Sequence, residues 1–152
     1  MKKILFVCTG NTCRSPMAEA MAKKKCLGEG LGYEFSSRGT CVFYETGPTS
    51  NAVQSLTKFD INLEDHFSKQ VEVDDLKDMD LILTMTNDQK ILLHTMSSDH
   101  KAKIYTLSEY VYQINKDIID PYGGSSFEYE SCAWELNECI EKLFDRLIDL
   151  GD

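Results

Sequence analysis

Residues Lys3 to Val7 form a short, continuously apolar run, the pattern of a strand covered on both faces rather than of a half-exposed one. The run breaks at Cys8-Thr9-Gly10-Asn11-Thr12-Cys13-Arg14, where Gly and Asn tolerate unusual backbone angles. Ser15-Pro16 then reads as a helix cap followed by proline in the first helical position. Met17 to Leu27, rich in Ala, Met and Lys, reads as the helix, with Glu19 on its first turn and Gly28 and Gly30 as its stop. The chain therefore opens as strand, tight loop, helix.

The alternation continues. Glu34 to Ser37 predicts a second strand, and Thr49 to Lys58 a helix with Ala52, Val53 and Leu56 on one face. Leu81 to Met85 is a third, buried type of strand, followed by Asn87 as a cap and a helix to Met96. Lys103 to Leu107 predicts a fourth strand, Asp120 to Gly124 a turn, and Phe127 to Leu150 a long helix in which Cys132, Leu136, Cys139, Leu143 and Leu147 share a stripe. The expected fold class is α/β: one domain over 1–152, an open sheet of about four parallel strands with helices on both faces and a phosphate-binding loop after the first strand.

Composition narrows the partners. The chain has 152 residues, 42% hydrophobic and 27% charged, values of a packed domain rather than a disordered or fibrous chain. Its net charge of −9 argues against nucleic acid or an anionic membrane as partner. The apolar run Ile4 to Cys8 is too short for an export signal or a bilayer span, so a cytoplasmic location is expected and the six cysteines read as reduced thiols. Cys8 and Cys13 form a C-x4-C pair, with His66, His94 and His100 the only histidines and no second ligand pair, so no metal is expected. Oligomeric state is not legible; a monomer is the default.

A cysteine at the carboxyl end of the first strand, followed by a compact loop into a helix N-terminus, stands where open α/β sheets bind anions. Backbone N–H groups of residues 9 to 15 can converge there: Thr9, Gly10, Asn11, Thr12, Cys13 and Ser15 become candidate phosphate-binding positions. Arg14 can curl over the same point with two parallel donors. The same donors predict a strongly lowered pKa for Cys8, making it a nucleophile toward phosphorus without any cofactor. A Cys and an Arg at this spacing also occur as ordinary core and surface residues.

The whole run from Val7 to Ala20 is more specific, and it resembles the low-molecular-weight protein tyrosine phosphatase family at nearly every position, a resemblance extending over essentially the whole chain. It implies a cysteine-dependent phosphatase of phosphorylated proteins working through a cysteinyl-phosphate. In that resemblance Cys8 is the nucleophile, Arg14 the phosphate clamp, and Asn11 and Ser15 hold the loop and ease the thiolate. Asp120-Pro121 matches the family's general-acid loop, although by itself it is equally a plain turn. His66, in His66-Phe67-Ser68-Lys69-Gln70, matches a histidine that supports the loop from behind, although by itself it reads as a half-exposed histidine near a helix start.

Two departures bear on substrate. Thr12 stands where tyrosine-specific members usually carry a bulky aliphatic residue, and Tyr122 is followed by Gly123-Gly124 rather than a second aromatic. Both resemble the family's bacterial protein-arginine phosphatase subgroup, with tyrosine phosphatase the alternative; Thr12 otherwise caps a backbone N–H within its loop. Asp120 would then pair with a guanidinium as well as protonate a leaving group. Arsenate reduction is disfavoured because the stretch Thr84 to Ile91 has no relay cysteine, and a phosphocarrier is disfavoured by Arg14 and Asp120. Cys8 and Cys13 share one short loop, so Cys13 is a candidate resolving thiol for an oxidised Cys8, or else a small residue packed beneath the loop.

Overall fold

The computed structural model describes residues 2–149. Four strands, β1 (Lys2–Cys8), β2 (Tyr33–Gly39), β3 (Leu81–Thr84) and β4 (Ile104–Thr106), form one sheet in the order β2-β1-β3-β4. Every neighbouring pair is parallel. The helices are α1 (Arg14–Glu29), α2 (Ser50–Thr57), α3 (Val73–Asp78), α4 (Asn87–Met96), α5 (Leu107–Tyr112) and α6 (Ser126–Asp149), with a 3₁₀ turn over Ser98–Lys103.

β1 is central, and its side chains feed two apolar layers. Ile4, Phe6 and Cys8 face a layer built with Met17 and Met21 of α1 and Leu136, Ile140 and Phe144 of α6. Leu5 and Val7 face the other layer, with Leu76 of α3, Ile82 of β3 and Leu93 of α4. This is why the strand is apolar without alternation: each side chain, on whichever face, is worth roughly 1.5–3 kcal/mol of burial. The stripe Cys132, Leu136, Cys139, Leu143 and Leu147 of α6 is buried as the periodicity requires; Leu150, its expected end, lies outside the described residues.

Several boundaries differ from expectation. α1 begins at Arg14, so Ser15 and Pro16 are its second and third residues and Cys13 occupies the cap position without a side-chain cap bond. Pro16 costs nothing there, because the first intrahelical donor is Met17 N–H, bonding to the Cys13 carbonyl at 3.1 Å. Glu19 lies beyond the first turn and accepts from the Ser37 hydroxyl at 2.6 Å instead. The cap of α4 is Thr86, one residue earlier than expected, reciprocated by Gln89 in a capping box. Val53 is only half-buried, while Ser55 takes a buried place beside Ala52 and Leu56. Helices α3 and α5 were not expected: six residues are too few to show a helical period, and capping boxes at Glu72–Asp75 and Thr106–Glu109 define them.

Candidate active site

The chain leaves β1 for β2 on one side and returns through β3 on the other, so the loops following β1 and β3 diverge and leave a crevice at the carboxyl end of β1. The segment Thr9–Cys13 fills it. Backbone bonds seat it on the loop after β2: Thr40 N–H donates to the Cys8 carbonyl at 2.9 Å and Cys41 N–H to the Thr9 carbonyl at 3.0 Å, while Thr49 N–H reaches the Thr12 carbonyl at 3.2 Å. Gly39 lies flush beneath. A Cβ there would stand 2.6 Å from the Thr9 carbonyl oxygen and 3.0 Å from the Asn11 Cβ, so only glycine permits this approach.

Asn11 organises the loop from a left-handed conformation, φ 57°, that asparagine accepts more readily than most residues. It is fully buried, and its polar groups are engaged. Its N–H points to Cys8 Sγ at 3.2 Å, and its Nδ2 donates to Ser15 Oγ at 2.8 Å and Ser37 Oγ at 3.0 Å. Its Oδ1 accepts from Lys69 N–H at 2.9 Å, and its carbonyl lies 2.7 Å from His66 Nε2. Ser15 Oγ, already accepting from Asn11, sits 2.9 Å from Cys8 Sγ. Its hydroxyl thus serves the sulfur rather than the helix cap expected of it.

Cys8 is buried in this nest, and burial pushes its thiol above the ordinary value of 9.0. The Ser15 hydrogen bond, the Arg14 charge and the Asn11 amide oppose that rise without overcoming it. The strongly lowered thiol expected from donor count is therefore corrected: the donors are present, but burial of the sulfur, which disfavours a thiolate, is the larger effect.

Arg14 has a side chain only 5% exposed. One terminal nitrogen donates to the Ile118 carbonyl at 2.9 Å, the other lies 3.5 Å from Asp120 Oδ2, and Nε has no hydrogen-bond partner among the described residues. A buried, unmatched guanidinium donor is costly unless an anion completes it. Asp120 is half-exposed, its Oδ1 accepting from Tyr122 N–H at 3.0 Å to close the turn. Cys8, Thr9, Gly10, Asn11, Thr12, Cys13, Arg14, Asp120 and Tyr122 all line one open cavity of about 480 Å³, to which Tyr44, Thr46, Gly47 and Thr49 also contribute. Ser15 and His66 stand behind it.

Cys13 is buried and, like Cys8, a free thiol. Its Sγ lies 3.5 Å from the Tyr129 phenol and 3.6 Å from Thr49 Oγ1; burial pushes that phenol up to about 12, so it keeps its proton. Ser37, Gly39, Tyr129 and Gln89 all serve the loop and escaped the reading of the sequence, while Lys69 entered it only as part of the His66 segment. Only Gln89 carried a local signal, three residues after a Thr cap. Among the described residues no cluster of His, Cys, Asp and Glu is disposed to hold a metal, and no helix is long and apolar enough to cross a membrane.

A buried cysteine sulfur that meets a backbone N–H of its loop, beside a buried guanidinium with an unfilled donor, is the arrangement that cysteine-dependent phosphatase chemistry calls for. Residues 3–149 match the model of the family described as low molecular weight phosphotyrosine protein phosphatase, and the chain belongs to that family. It is 38% identical over 144 residues to the protein-arginine-phosphatase of Bacillus subtilis, covering 95% of each chain. It is 41% identical over 145 residues to the low molecular weight protein-tyrosine-phosphatase PtpB of Staphylococcus aureus, covering 94% of this chain and 97% of that one. The crystal structure of a YwlE mutant from Bacillus subtilis superposes with a TM-score of 0.93 at 36% identity, over 97% of this chain and 99% of that one.

Proposed function

We propose that this cysteine-dependent protein phosphatase acts on phosphoarginine in proteins. The observation that carries the reading is the lining of the cavity: Thr12 and Asp120, residues with hydroxyl and carboxylate acceptors, line with Cys8 one cavity, in which a leaving group would sit. A guanidinium is a planar array of N–H donors and needs acceptors, whereas a phenyl ring gains nothing from them. Overall identity does not decide the matter, since relatives of both specificities match about equally well.

In this reading Cys8 Sγ, as thiolate, attacks phosphorus and forms the S–P bond while the P–N bond breaks. The departing guanidine nitrogen takes a proton from the Asp120 carboxyl. The phosphoryl oxygens are held by the loop amides and by Arg14, whose open Nε supplies a donor no protein group uses. Water then attacks the cysteinyl-phosphate, Asp120 takes its proton, and the S–P bond breaks to release orthophosphate and restore the thiolate. Asn11, Ser15 and His66 hold the geometry, and Tyr122 forms the rim. No cofactor enters any step. The reading takes the chain as one cytoplasmic, monomeric domain, with Cys13 resolving an oxidised Cys8 once its sulfur leaves Thr49 and Tyr129.

The test is a rate comparison on phosphoarginine and phosphotyrosine peptides. Wild type is expected to favour phosphoarginine. Thr12→Ile is expected to shift the ratio of kcat/KM toward phosphotyrosine by about tenfold or more, equivalent to roughly 1.4 kcal/mol. A wild type faster on phosphotyrosine, or a ratio unmoved by Thr12→Ile, hands the site to the tyrosine reading.

A further inference from the structure

Gln89 sits behind the phosphate loop, 4% exposed, in the first turn of α4, where the loop after β3 forms the other lip of the crevice. Its Oε1 accepts from two backbone donors, Met85 N–H at 2.9 Å and Thr86 N–H at 3.0 Å. Two N–H donors fix which end of the amide is which: the oxygen faces them, so Nε2 must face away. There it donates to Thr9 Oγ1 at 3.0 Å. Thr9 is therefore an acceptor on that side, and its single hydroxyl proton is directed elsewhere.

Thr9 stands between two spaces. It lines the neighbouring cleft of about 470 Å³ that also contains Gln89, and it lines the cavity over Cys8 that Gln89 does not reach. The amide approaches from the first and leaves the proton available to the second. From this we infer that Gln89 is a positioning residue that orients and polarises the Thr9 hydroxyl as a donor to a phosphoryl oxygen held above Cys8, an inference that rests on the phosphatase reading. A side-chain hydroxyl thereby joins the backbone amides of the cradle, and its direction is set 80 residues away in sequence.

The test turns on Gln89→Glu, which keeps an oxygen for Met85 and Thr86 but replaces the donor facing Thr9 by an acceptor. The Thr9 proton then points at the carboxylate, away from the substrate. With p-nitrophenyl phosphate, Thr9→Val is expected to lower kcat/KM about tenfold and Thr9→Ser to restore it to within about twofold. Gln89→Glu is expected to cost about tenfold beside Thr9 but less than about twofold in the Thr9→Val background, because the hydroxyl it misdirects is already gone. A similar loss in both backgrounds means that added charge alone acts, and overturns the inference; so does wild-type activity in Thr9→Val. If wild type itself does not hydrolyse p-nitrophenyl phosphate, the phosphatase reading fails instead. The inference is then decided by calorimetry with orthophosphate: weaker binding in Thr9→Val and Gln89→Glu supports it, and unchanged binding overturns it.

Discussion

The two walls of the cavity are built on different principles. The loop from Cys8 to Ser15 exposes Thr9 and half-buries Gly10 and Thr12, but its remaining residues are buried and it is tied from behind: Asn11 alone spends its N–H, carbonyl and both side-chain ends on Cys8, His66, Ser15, Ser37 and Lys69. The facing turn at Asp120 to Gly124 is held by local bonds, Tyr122 N–H to Asp120 and Gly124 N–H to the Pro121 carbonyl, and Tyr122 stands 70% exposed. In the proposed reading this wall holds phosphate, which is the same in every substrate, so it can be rigid. The group that carries the phosphate differs, and it meets the wall with the fewest commitments. Among the described residues Arg14 spans both, bonding the Ile118 carbonyl and pairing with Asp120.

The contrast can be broken hardest on the buried wall. Cys8→Ser is expected to abolish steady-state turnover of p-nitrophenyl phosphate, since a neutral hydroxyl cannot stand in for a thiolate; Arg14→Lys is expected to lose about 10²–10³-fold, because one ammonium cannot replace a planar fork. Near-normal rates in either would remove that residue from its role. Asp120→Asn, on the exposed wall, is expected to slow poor leaving groups by about a hundredfold and good ones far less, a graded response that a series of aryl phosphates would expose. An equal effect across the series would deny Asp120 the general-acid role.

Gly39→Ala probes the support rather than the chemistry. Its new Cβ would meet backbone at Thr9, an overlap expected to cost about 1–3 kcal/mol, visible as a lower Tm together with lost activity. An unchanged melting curve would mean that the loop has slack. The smallest effect sharpens the view of the thiol. The Ser15 bond is the largest influence holding the Cys8 pKa down, so Ser15→Ala is expected to raise it further. Because the thiolate is the active form, the acid limb of the kcat/KM profile should then move to higher pH; no movement, or movement downward, would contradict the assignment.

The parallel sheet was legible because β1 and β3 are buried on both faces and so carry no polar alternation. The long α6 was legible because its apolar stripe repeats over many turns. What escaped was whatever depends on meeting partners distant in sequence. Ser37 is an unremarked serine in a strand until Asn11 and Glu19 bond to it, and Gly39 is an ordinary glycine until the loop lies on it. The Cys8 thiol was misjudged for the same reason: residue spacing advertises donors, while burial, which opposes them, appears only in the packed molecule. Ser15 reads as a cap from its neighbours alone, and only the family resemblance pointed its hydroxyl to the sulfur seven residues back.

The bond from Arg14 to the Ile118 carbonyl joins residues 104 apart, and the contact between Cys13 and Tyr129 joins residues 116 apart. During synthesis, then, Cys8 and Arg14 emerge well before the residue that anchors the guanidinium is made. At about 5–20 residues per second that interval is roughly 5–20 s. Through it the nascent chain carries an exposed thiol without a finished cradle. Catalytic competence thus waits on residues more than a hundred positions downstream of the sulfur, and a ribosome stalled before Ile118 displays the sulfur but no enzyme.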